Sequence, residues 1–299
     1  MIFARRHGNR REGHQTAPME YRLPHRLEMK AIGLLFVLFS LSTPVIPQQL
    51  LPQVNESVWD SLLKEYVNQQ HRVNYAGLKK DAPGRLNDYI YSLGQAGTQP
   101  LSPNQKKALL INAYNAFTIQ WVVQNYPIPS IWATDAPFTA ARHRLGGKMV
   151  SLNDTESELR AMGDPRIHAA LVCAARSCPP LRREAYVASR LDEQLDDNVR
   201  QWLANPALNR FYPSQARAEI SPIFEWYRKD FDAYPGGLQG FLRKYAPPHV
   251  IQEVGQKNFQ ISYLTYDWGL NDQANIGENY SRLQFALDWI ENWLRSLTN

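Results

Sequence analysis

Between Ser102 and Tyr126 the chain encodes a helix with no polar side. Ser102-Pro-Asn-Gln105 opens it: serine caps, proline takes the first turn, and glutamine three residues on closes a capping box. From Ala108 to Val123 apolar residues go round almost the whole cylinder, and the pattern stops before Pro127. A surface helix keeps a polar face, whereas one that is apolar nearly all round has to be a buried centre. The spacing therefore predicts a central buried helix over about 103–125, with the rest of the chain wrapped around it.

The wrapping elements can be read from their periods. Trp59, Leu62, Leu63, Tyr66 and Val67 fall on one helical face, and Leu86, Tyr89, Ile90 and Leu93 on another. Gly146-Gly147 marks a turn at the tip of a hairpin, and Asn153-Asp-Thr-Glu156 reads as the cap of a short helix running to about Met162. Arg166 to Cys173 reads as a buried strand ended by Pro179-Pro180. Ser189 is expected to cap a helix carrying Leu191, Leu195, Val199 and Trp202, and Ser221-Pro222 to open one containing Phe224, Trp226 and Tyr227. Phe259 to Tyr266 alternates like a strand. A last helix sets Leu283, Leu287, Ile290, Leu294 and Leu297 in one stripe, either core or a partner-docking surface. With 44% hydrophobic residues there is enough material for a sizeable core. No repeat or linker interrupts 55–299. The expected fold is α+β: a helix-rich single domain over 55–299 with a small sheet.

Ahead of that domain, residues 1–28 read as a non-structural extension holding six arginines. Met29-Lys30 followed by the apolar run Ala31 to Ser40 reads as a signal peptide over 29–42, with Ser40 and Ser42 at the cleavage positions. Residues 43–54 are a Pro/Gln linker. The expected location is periplasmic or secreted, the alternative being an uncleaved N-terminal membrane anchor. The run is too short for a comfortable span, so no stable membrane segment is expected after cleavage. Basic and acidic residues interleave beyond residue 28, and the net charge of +5 carries no nucleic-acid footprint. No pattern fixes an oligomeric state.

Six ordered motifs carry a resemblance: Asn112-Ala-Tyr-Asn-Ala-Phe-Thr-Ile119, Ser151-Leu-Asn-Asp154, Asp164-Pro-Arg-Ile-His168, Cys173-Ala-Ala-Arg-Ser-Cys-Pro-Pro180, Leu191-Asp-Glu-Gln-Leu-Asp-Asp197 and Tyr266-Asp-Trp268. Over roughly 58–272 the chain resembles the DUF547 family of unknown function. The resemblance implies a shared fold and no established activity. The chain departs from the family at Thr155-Glu156-Ser157, where Ile-Glu-His is usual, so any chemistry that uses that histidine is absent here or done differently.

Within these motifs each candidate has a structural and a functional reading. Cys173 and Cys178, the only two cysteines, either form a disulfide across the intervening turn or supply a thiol nucleophile or redox group. No second Cys/His cluster completes a metal site, and no cofactor is implied. His168 is either a satisfied core histidine or a catalytic base. Glu156 is either the partner of the Asn153 cap or a carboxylate orienting that imidazole. Strand alternation would put His168 and Cys173 on opposite faces, leaving Cys178 the freer partner. Asn112 and Asn115, one turn apart, either tie the central helix to neighbouring backbone or line a pocket, with Asn112 steadying an oxyanion. Arg166 and Arg176 are candidates to hold an anionic group, and Asp267 is a turn cap or a third carboxylate. Asp196-Asp197 reads as a solvated helix face. Two functions remain open: a binding or scaffold domain for a small-molecule or peptide ligand, with the aromatics as its surface, and a thiol- or His-dependent hydrolase or acyltransferase using the same pocket.

Overall fold

The computed structural model describes residues 54–97 and 100–297. The extension, the leader and the linker up to Gln53 lie outside the described residues. The central helix is α4, Pro103–Asn125, in the numbering that counts three helices before it. Ser102 accepts the Gln105 N–H, and Gln105 returns a bond to the Ser102 N–H, so the capping box is complete. Thirteen of its residues from Ala108 to Val123 are buried, on every side of the helix.

Three earlier helices pack around it: α1 (Glu56–Tyr66), α2 (Tyr75–Asp81) and α3 (Pro83–Gly94). Trp59 of α1 stacks on Tyr89 of α3, with ring centroids 5.4 Å apart. A hairpin follows α4, β1 (His143–Leu145) pairing with β2 (Lys148–Val150). Its tip is Gly146-Gly147, both at positive φ as a two-residue hairpin turn requires. Next comes α5 (Leu152–Arg160). Its cap is Ser151 with Asp154 in the return position, not Asn153 with Glu156, so Glu156 sits inside the first turns with its carboxyl released from capping.

The segment expected as a strand over 166–173 is not one. Asp164 accepts the Arg166 N–H, Pro165 presets the first turn, and Pro165–Ala169 closes as a 3-10 turn. Beyond it the backbone is irregular and has no ladder partner, except for a single bridge between Ala175 and Leu270. The apolar composition reflected burial rather than sheet pairing. A buried backbone without a ladder still needs partners, and side-chain amides supply them. Asn115 donates to the Ala170 carbonyl and accepts the Val172 N–H, both at 2.9 Å. Asn112 donates to the Tyr186 carbonyl and accepts the Tyr186 N–H. Asn198 donates to the carbonyls of Ala169 and Pro180, and Gln194 bridges Ala185 and Val187.

The helix α6 (Leu191–Ala204) starts one residue after Arg190, without a side-chain cap. It buries Leu191, Leu195, Val199 and Trp202 as the periodicity predicts. A three-stranded sheet follows: β3 (Arg210–Tyr212) runs antiparallel to β4 (Arg217–Ile220), which runs parallel to β5 (Gln260–Tyr263). The crossover between β4 and β5 carries α7 (Ile223–Trp226), α8 (Arg228–Asp232), α9 (Gly237–Tyr245) and α10 (Ile251–Val254). Helix-rich α+β is the observed class.

The last helix, α11 (Arg282–Ser296), overturns one of the two readings of its stripe, that it is core. Leu283, Leu287, Ile290, Leu294 and Leu297 all stay exposed, from 45% to 70%. The opposite face docks instead: Phe285 stacks on Trp268, and Asn292 bonds the Ala136 N–H and the Trp132 carbonyl. No helix of the described residues is long and apolar enough to cross a membrane. Just before α11 three backbone stretches touch. A Cβ on Gly269 would lie 2.1 Å from the Gly277 carbonyl oxygen, and one on Gly277 would lie 2.0 Å from the Leu270 nitrogen.

Replacing Asn115 by leucine would keep its bulk and leave one buried carbonyl and one buried N–H unpaired. At about 1–3 kcal/mol for each unmet group, a loss of about 3 kcal/mol in unfolding free energy is expected. Urea denaturation of the two proteins measures it.

Candidate functional site

A cavity of about 380 Å³ opens beside the unladdered segment. Most of its wall is aromatic. Trp132 and Phe138 come from the stretch after α4, Trp226 and Tyr227 from the α7–α8 junction, and Tyr266 and Trp268 from the strand-like run after β5. Phe285 and Trp289 of α11 complete it. The rings brace one another: Trp268 lies parallel to Trp226 and to Phe285, within 11° and 8°, and meets Trp132 edge-on at 84°. Edge-to-face and offset contacts of this kind fix ring positions beyond what area burial alone would do.

Polar side chains also line it: Thr139, Tyr114 of α4, Asn153 and Glu156 of α5, His168 and Cys173. The 3-10 turn accounts for the last two. Strand alternation would have separated them, but the turn at Pro165–Ala169 brings both to the cavity. His168 is buried, stacked on Tyr227 at 4.1 Å, and its Nε2 lies 2.8 Å from Asp230 Oδ2. Asp230 also receives two bonds from Arg160, at 2.7 and 3.1 Å. Burial pushes the imidazole down to about 4 against the opposing pull of Asp230, so the ring is neutral and Nε2–H donates. Asp230 itself is held below the ordinary carboxylate range, first by Arg160 and then by His168. The role of orienting carboxylate thus falls to Asp230, which the sequence reading did not single out. Glu156 instead meets the Tyr227 hydroxyl, and burial raises its carboxyl above the ordinary value.

The two cysteines are free thiols, not a disulfide. Their sulfurs lie 2.9 Å apart, and Tyr266 Oη is 3.4 Å from Cys173 and 3.3 Å from Cys178. Ala174 between them takes left-handed backbone at φ 63°, and the N–H groups of Cys173 and Ala175 both donate to Cys178 Sγ, at 3.1 and 3.4 Å. Burial opposes charge on Cys178, but the Cys173 thiol, the Tyr266 hydroxyl and the two N–H groups together hold its thiol below the usual cysteine value. Cys173 is pushed up, first by its bond to Cys178 and then by burial.

Several candidates lie elsewhere. Asn112 and Asn115 do not line this cavity, since their amides are taken up by the backbone as described. Arg166 is bound by Asp164, Asp192 and Asp196, and so belongs to an ion-pair network at the foot of α6. Asp196 also accepts from Tyr245, and Asp197 from Arg182, so this pair is not merely solvated. Arg176 Nε pairs with Asp267 at 3.2 Å, while Asp267 accepts the Gly269 N–H as a turn cap. Of the residues singled out from sequence, the cavity gathers Glu156, His168 and Cys173, with Cys178 directly behind. Sequence reasoning missed Tyr114, Tyr227 and Asp230. Tyr114 lies in one of the motifs and Tyr227 in an expected helix without a role, while Asp230 carries no signal at all, because the contacts that unite them are long-range.

Among the described residues no group of three or more His, Cys, Asp or Glu side chains gathers in a way that could hold a metal ion. Fold and site together define a helix-rich α+β domain built around an aromatic cavity with a neutral imidazole and a thiol pair. Residues 98–203 match the family described as "Protein of unknown function, DUF547", within the 58–272 stretch that carries the motifs. No curated protein and no solved structure matches the chain.

The imidazole provides a test. The unfolded chain protonates His168 near 6.5 and the folded chain only near 4, so the unfolded state binds the extra proton between those values. Stability from this residue is therefore full above about 6.5 and is lost as pH falls towards 4. Denaturation at pH 7 and pH 4.5 is expected to show a drop larger by about 2 kcal/mol in wild type than in His168→Gln.

Proposed function

We propose that the domain is an exported binding module for a small, flat, largely apolar ligand that carries one hydrogen-bonding group. The single observation behind this is the cavity itself: about 380 Å³, walled mainly by braced indole and phenyl rings, with a few polar side chains among them. Small-molecule sites have this character, mostly apolar with a few placed polar groups. Among those polar groups the neutral ring of His168 adds no charge, which favours a neutral or weakly polar head group over a strongly ionic one. Export rests on the leader at 29–42, and an oxidising destination would allow Cys173 and Cys178 to bridge.

Hydrolysis or acyl transfer by Cys178 is the weaker reading. His168 Nε2 is committed to Asp230, and Cys178 sits behind Cys173 rather than on the cavity wall.

The uncharged dye N-phenyl-1-naphthylamine serves as the probe ligand. It is expected to bind the folded chain with one site and to quench tryptophan emission. Trp226→Ala should weaken it by about tenfold, equivalent to about 1.4 kcal/mol of lost stacking and area. Leu287→Glu, on the outer face of α11, should leave it unchanged. Equal affinity for Trp226→Ala and wild type would reject the reading.

A further inference from the structure

We propose that Cys173 and Cys178 form a redox-active dithiol that exchanges with small, ring-bearing disulfides bound in the aromatic cavity. The inference deepens the proposed binding function and rests on it for the ligand's place. Three observations carry it. The sulfurs, 2.9 Å apart, need little movement to join. Only Cys173 lies on the cavity wall, so the pair has a presented member and a shielded one. Cys178 Sγ receives two backbone N–H groups and a tyrosine hydroxyl, an arrangement that stabilises an anionic sulfur and so favours the reduced form over the bridged one. A purely structural bridge has no use for those donors. A bridge opposed by them is more easily reduced, as labile and catalytic disulfides are.

The chemistry balances without any further reactant. The reduced pair gives up one proton to water, and the proton that remains sits on Cys178, leaving Cys173 as the thiolate. Cys173 attacks one sulfur of the bound disulfide R–S–S–R, its S–S bond breaks, and RS⁻ leaves with the proton from Cys178 as RSH. Cys178, now the thiolate, attacks Cys173 Sγ, breaks the mixed disulfide and expels the second RS⁻. Two electrons have moved from the dithiol to the substrate, giving one protein disulfide, one RSH and one RS⁻. Tyr266, within 3.4 Å of both sulfurs, is placed to hydrogen-bond whichever one carries the charge. An excess of external thiol runs the same steps backwards.

Dipyridyl disulfide, two flat rings on a reactive S–S bond, tests the proposal on the full folded chain. Wild type is expected to release two pyridinethiones, lose two hydrogens in mass and regain them in dithiothreitol. Cys178→Ser should release one and keep a stable pyridyl adduct mapped to Cys173. Cys173→Ser should react about tenfold more slowly, because access as well as thiolate content sets the rate. Two pyridyl adducts on wild type without a bridge, first attachment at Cys178, or no reaction of the folded chain would each overturn it. The wild-type stoichiometry stands even if a variant fails to fold. Dye binding in the same samples separates the two readings: dye bound without exchange removes the dithiol alone, and exchange without a dye site removes the cavity ligand alone.

Discussion

The structure depends on how a long buried stretch of irregular backbone is satisfied. From Met162 to Arg190 the chain forms no helix beyond the Pro165–Ala169 turn and no strand, yet much of it is buried. In a sheet, neighbouring strands would take up its N–H and C=O groups. Here Asn112, Asn115 and Gln194 each take up one N–H and one C=O, and Asn198 takes up two carbonyls, all from two helices. Each amide has a donor and an acceptor and so can mimic a strand neighbour. This is why polar residues occur in a helix that otherwise tolerates none, and why the loop carrying His168 and both cysteines holds a fixed shape.

That same interaction decides which parts of the fold can be read from the sequence. The central helix, the hairpin turn and the α6 face are legible because local period and caps specify them: Ser102 with Gln105, Gly146 with Gly147, Leu191 through Trp202. The segment 166–173 is misread because an apolar run means burial, and periodicity cannot tell a buried strand from a buried loop held by distant amides. The cap at Ser151 rather than Asn153 shows the limit of spacing rules where two capping residues lie two apart. The outward stripe of α11 fails for a different reason. Both faces of that helix are apolar, and only tertiary contact with Trp132 and Trp268 selects the aromatic one.

At the site, Glu156, His168 and the cysteines were legible as residue types able to do chemistry, but their arrangement was not. Asp230 is 62 residues from His168 and stands in a helix too short to announce itself. With Arg160 on the other side of that carboxylate, the charges pair with each other at the margin of the cavity. What faces the interior is a neutral ring, a carboxyl raised by burial, hydroxyls and sulfur. The Asp230 and Arg160 charges are thus paired rather than left alone beside an apolar enclosure, which would penalise them heavily.

Where Gly269 and Gly277 meet, main chain is the packing surface. Leu270 N–H also bonds the Pro129 carbonyl at 2.8 Å, so this turn region and the distant Pro129 stretch are clamped atom to atom. Trp268 precedes the first glycine directly, and Trp132 follows Pro129 by three residues. The separation of those two indoles is thus set by peptide groups rather than by rotamers that might adjust. The width of the chamber is a fixed gauge, and substitutions along its lining can change what it grips while leaving its bore the same.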